Sequence, residues 1–136
     1  LEIAALVMWV LTALAGLRLL VRWLSEGGLR RQGTKVTRYP VVLLLGHPTL
    51  ALLALATWVA FLLTRSSVYA WSSFGGLVLV ALLGFTMFTR WLTGQGGKHA
   101  RDGEQVFPAV AVVAHGAVAT LTFVLVLLTA ITVSRH

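Results

Sequence analysis

YPVVLLLGHPTLALLALATWVAFLLT, residues Tyr39–Thr64, decides the fold. It contains no Lys, Arg, Asp or Glu, and its apolar residues do not alternate with polar ones. About 20 apolar residues at 1.5 Å rise each cross the hydrocarbon of a bilayer as a helix. A spanning strand would alternate, and only a closed barrel could satisfy its backbone in lipid. The stretch therefore reads as a transmembrane helix. Working outward, Ile3–Leu24, Ala70–Leu92 and Phe107–Val133 reach the same length and character. The predicted fold class is an all-α membrane protein with four transmembrane helices. Arg65–Tyr69 is short, so the second and third spans form a tight antiparallel hairpin. Ser25–Arg38 and Thr93–Val106 are polar and contain glycine, and read as water-exposed loops.

The composition agrees. Of 136 residues, 58% are hydrophobic and only 11% charged, with no cysteine. Soluble domains carry about 25% charged residues. Absence of cysteine excludes iron–sulfur clusters, thiolate zinc sites, disulfides and covalent c-type haem. The net charge of +7 does not point to nucleic acid, because the cations cluster between apolar runs. Arg18, Arg22, Arg30, Arg31, Lys35, Arg38, Arg90, Lys98 and Arg101 fall on the side of the two long loops. Only Arg65 and Arg135 fall on the other. This bias predicts cytoplasmic long loops and both termini outside. The first span lacks a basic leader and a small-residue cleavage site, so it reads as a retained helix rather than a signal peptide.

Shifting the chain by 68 residues, half its length, aligns the halves without a gap. Arg22-Trp23-Leu24 falls on Arg90-Trp91-Leu92, Gly16 on Gly84, Gly28 on Gly96, Pro40 on Pro108, His47 on His115 and Thr64 on Thr132. Tyr39 meets Phe107, and Ser25 meets Thr93. Self-similarity at a fixed period marks a structural unit. The expectation is two tandem helical hairpins, 1–68 and 69–136. With two spans each they share one membrane orientation, related by a pseudo-two-fold axis along the membrane normal.

His47 and His115 each follow a helix-opening proline by seven residues, roughly 10 Å along the helix. That depth lies inside the hydrocarbon, nearer the basic side. An ionisable group there is a functional hypothesis by default. The plain structural role is a neutral imidazole bonded to a neighbouring helix. Two imidazoles at one level also suit a metal between them. A compact zinc or copper site wants three or four protein ligands, and Met8 and Met87 do not reach this level. A haem needs only two axial ligands, so one b-type haem per chain between His47 and His115 is the economical reading.

The neighbouring residues take expected roles from this. Ala51 and Ala54 after His47, and Ala119 and Thr122 after His115, leave room for a macrocycle or for close helix packing. Gly16 and Gly84 admit the porphyrin edge or a neighbouring helix. Arg22 and Arg90, with Arg18 one turn deeper, are expected to meet haem propionates, or to snorkel to lipid phosphate. Trp23, Trp91 and Tyr39 read as interfacial anchors. His99 and His136 receive no role. No intramembrane acid, Ser-His-Asp set or phosphate loop is present, and Gly94-Gln95-Gly96-Gly97 follows no strand.

With helix number, His pair, basic face and the Tyr-Pro-x6-His and Phe-Pro-x6-His segments, the chain resembles the bis-histidine, b-type four-helix membrane cytochromes. These are the cytochrome b561-like proteins and respiratory membrane anchors. The resemblance implies electron transfer in a respiratory or quinone-linked chain, with quinone or another haem protein as redox partner. Many of those cytochromes stack two haems on four histidines; this chain offers intramembrane ligands for one. The Ala/Val/Leu/Gly/Arg-rich composition resembles that of high-GC bacteria, which implies a bacterial inner membrane. Two other functions compete. One is a non-catalytic accessory subunit of a larger membrane complex, with both histidines as packing groups. The other is a transporter or metal channel, against which Pro40 and Pro108 stand at helix starts rather than at mid-membrane breaks. An electron carrier or complex subunit is expected before a stand-alone enzyme.

Overall fold

A computed structural model describes residues 1–31, 39–94 and 107–135. Among these residues the protein is helical throughout, with no strand. The helices are α1 (Glu2–Ser25), α2 (Gly28–Arg31), α3 (Val41–Thr64), α4 (Ser67–Gly94) and α5 (Ala109–Val133). All but α2 are long and apolar enough to cross a membrane. Their outer faces carry large apolar side chains that water would not tolerate in such number: Val42, Leu63 and Val110 are each at least 80% exposed. That surface fits lipid.

The helix ends follow from local chemistry. Pro40 and Pro108 are the N-caps of α3 and α5, with extended ψ of 138° and 132°. Their carbonyls accept from Leu44 and Val112 at 3.2 and 3.1 Å. Arg65 ends α3 in a left-handed conformation, φ 59°, with its N–H donating to the Phe61 carbonyl. Two residues then suffice to start α4, and the Arg65 guanidinium pairs with Glu2 at the start of α1. Pro48 lies within α3. It has no N–H for the Leu44 carbonyl one turn back, yet the helix runs on from Val41 to Thr64.

The expected loop Ser25–Arg38 is corrected over its first part. Gly27, at φ +82°, turns the chain, and Gly28 starts the short helix α2. A Cβ on Gly28 would stand 2.2 Å from the Trp23 ring, so only glycine lets the turn fold over that indole. Positions 32–38 and 95–106, including Lys35, Arg38, Gly96, Lys98, His99 and Arg101, lie outside the described residues, as does His136.

The main seams of the bundle are α3–α4 and α1–α5; those of α4–α5 and α1–α3 are smaller. α3 and α5 therefore stand on one diagonal, α1 and α4 on the other. Both main seams join residues 1–68 to residues 69–136. The core falls into two clusters. At the far end from the long loops, Ala5, Trp9, Ala54, Trp58, Phe61, Ala70, Leu77, Val126 and Ala130 pack together. At the basic end, Trp23, Tyr39 and Leu44 are buried against Leu20, Met87, Trp91 and Phe107. The two histidines lie between these clusters along α3 and α5.

Candidate functional site: a histidine pair across the bundle

The diagonal of α3 and α5 brings His47 and His115 together. Their ring centroids are 6.3 Å apart, with the planes inclined at 69°. Each ring is held by the helix it packs against. His47 Nδ1 lies 3.0 Å from the Val80 carbonyl of α4. His115 Nδ1 lies 3.1 Å from the Thr12 carbonyl of α1. A carbonyl oxygen only accepts, so both Nδ1 atoms donate and the neutral rings keep a lone pair on Nε2. A metal-ligating histidine makes this kind of bond with its other nitrogen, which fixes tautomer and ring orientation. A packing histidine makes it too. The free Nε2 pair distinguishes what the arrangement can do: it offers two nitrogen donors at one level.

Gly16 and Gly84 complete the two mounts. A Cβ at Gly16 would stand 2.9 Å from His115 Cε1, and one at Gly84 would stand 3.1 Å from His47 Cε1. Each glycine backs the ring that its own helix also anchors, one turn from the accepting carbonyl. Thr12 and Val80 are 68 residues apart in sequence, as are Gly16 and Gly84, and His47 and His115.

The other expected site residues fall as follows. Ala51 and Ala119 are half-buried, and Ala54 and Thr122 are buried. The Thr122 hydroxyl is 3.0 Å from that of Thr12. Arg18, Arg22 and Arg90 are exposed at the basic end. Arg90 borders an open groove of about 570 Å³ on the outer side of α3 and α4, with Pro40, Leu43, Gly46, Leu53 and Leu83. That groove runs past the residue before His47 and does not separate the two rings. Among the described residues no group of three or more His, Asp or Glu forms a metal cluster. The described residues thus offer two imidazole rings at this level.

Trp23 and Tyr39 are not interfacial anchors. They are 1% and 3% exposed. Trp23 and Trp91 each lie seven residues after a site glycine, which returns a helix to the same face, so both turn toward the bundle. Tyr39 meets Phe107 edge to face at 6.0 Å, closing the basic end. Side-chain chemistry could not reveal the Thr12 and Val80 carbonyls, since every residue has one. Their position one turn before each glycine was the available signal.

No protein-family model, curated protein or solved structure matches this chain. The functional reading therefore rests on the geometry of the site.

Proposed function

We propose that the protein is a membrane-embedded haem b carrier in a respiratory or quinone-linked redox chain, with one haem held between His47 and His115. The observation that carries this reading is the pair of imidazoles at 6.3 Å, each with Nδ1 committed to a carbonyl. Neutral imidazole is a good iron ligand, and with Nδ1 donating to a carbonyl each ring keeps its Nε2 lone pair for a metal. Bound there, haem b would supply one-electron exchange. His47 and His115 would hold it, and the Val80 and Thr12 carbonyls would keep those rings in orientation. Gly16 and Gly84 keep the rings free of side-chain collision. Arg22 and Arg90 favour anionic carboxylates at the basic end.

The matched contacts at positions 68 apart support two tandem hairpin units about a pseudo-two-fold axis along the membrane normal. The charge bias supports long loops in the cytoplasm of a bacterial inner membrane and termini outside. Quinone within the bilayer, or another haem protein, is the proposed redox partner.

The hydrogen-bonded rings also favour one second reading, a cofactor-free accessory subunit in which the histidines only join helices. The visible spectrum of the purified protein separates the two. A Soret band with sharp reduced α and β bands supports the haem carrier. A colourless protein, produced with ample haem, removes the haem carrier.

A further inference from the structure

Two indole nitrogens, Trp58 Nε1 and Trp91 Nε1, are enclosed without a hydrogen-bond partner among the described residues. An enclosed donor with no acceptor is costly, and more so where no water competes. The two differ in setting. Trp58 sits in the far-end cluster between the rings of Trp9 and Phe61, at 6.4 and 4.9 Å. Trp91 sits at the basic end, partly buried against the cluster of Trp23, Tyr39 and Leu44 and stacked on Phe88 at 5.8 Å. It is on the Gly84 face of α4, two turns or about 10 Å nearer the basic end than that glycine. The histidine pair, the glycine and the indole thus lie along one line leading toward the cationic surface.

We propose that Trp91 is a positioning residue whose indole N–H donates to a carboxylate of the bound cofactor, so that the acidic edge of the macrocycle points to the basic end. This rests on the haem reading, and names the residue that orients the group. The exposed arginines supply charge to the same end, but their contribution is screened by salt. An enclosed N–H makes a directional bond that salt does not weaken.

The test is equilibrium uptake of haem and of haem dimethyl ester by the purified full-length apoprotein, followed by the Soret band. The ester keeps the iron and the ring but lacks the anionic carboxylates. Trp91→Phe is expected to weaken haem binding about tenfold, to leave ester binding unchanged, and to do so equally at low and high salt. Unchanged ester uptake also demonstrates that the variant folds. Equal weakening of both ligands in Trp91→Phe and in Trp91→His, which retains a ring N–H, makes Trp91 a packing residue and overturns the proposal. Recovery of the acid-over-ester preference in Trp91→His alone supports it. Unaltered haem binding in Trp91→Phe overturns it. If the unmodified chain takes up neither ligand, the haem reading itself falls, and the role of Trp91 with it.

Discussion

The two ends of the bundle are built differently. Toward the basic end, positions 68 apart carry the same residue type: Gly16 and Gly84, Arg22 and Arg90, Trp23 and Trp91, Pro40 and Pro108, His47 and His115. Toward the far end they diverge. Trp9 stands opposite Leu77 in this pairing, Ala54 opposite Thr122, Trp58 opposite Val126, and Phe61 opposite Thr129. The far-end core is an asymmetric packing of large against small. The basic half holds two matched ring mounts. Most of the paired polar and aromatic residues thus lie in the basic half, while the far half packs unlike residues against one another.

The largest effect is expected at the histidines. His47→Ala and His115→Ala should each abolish the six-coordinate low-spin haem spectrum, and to the same extent. A six-coordinate spectrum that survives His47→Ala would mean that each ring has a partner outside this chain. Next in size, Trp58→Ala should cost about 3 kcal/mol of stability by opening a cavity among Trp9, Phe61 and Ala130. In detergent unfolding followed by circular dichroism it should lower the midpoint and leave the haem spectrum alone. A changed spectrum would show that the two ends do not act separately.

The two mounts differ in how closely glycine seats the ring. Gly16→Ala places a methyl 2.9 Å from His115 Cε1, whereas Gly84→Ala places one 3.1 Å from His47 Cε1. Overpacking of this kind costs about 1–3 kcal/mol, so Gly16→Ala should destabilise by about 2 kcal/mol and Gly84→Ala by less. Gly116→Ala faces open space and should change stability by no more than about 0.5 kcal/mol. Equal thermal midpoints for all three variants would refute the seating of the rings on glycine. The smallest effect belongs to the far-end pair of Arg65 and Glu2, whose side chains are 65% and 30% exposed. Arg65→Gln should cost under about 1 kcal/mol, and less at high salt.

Much of this was legible in the residues. The four spans follow from uninterrupted apolar runs and from the prolines that open two of them, and observed ends differ from expected ones by at most three residues. The histidine pair was legible because an imidazole is rare at that depth and its twin stands half a chain away. The inward turn of Trp23 and Tyr39 was not, because aromatic residues near a span end are usually interfacial, and only their register with Gly16 and with Phe107 shows otherwise. The neighbour relations of the helices were also hidden. Apolar surface covers every side of these helices, so no amphipathic stripe says that α1 packs on α5 rather than on α3.

That choice of seams bears on how the chain is made. Helices reach the membrane in the order of synthesis. α3 meets its main partner α4 as soon as the hairpin is inserted. α1, made before α3 and α4, has its main partner in α5, made after them. Until α5 arrives, the Gly16 notch faces lipid and the Thr12 carbonyl has no histidine to accept from. Assembly is therefore a closing step: α5 seals α1, and the second ring mount forms only when α5 has entered the bilayer beside it.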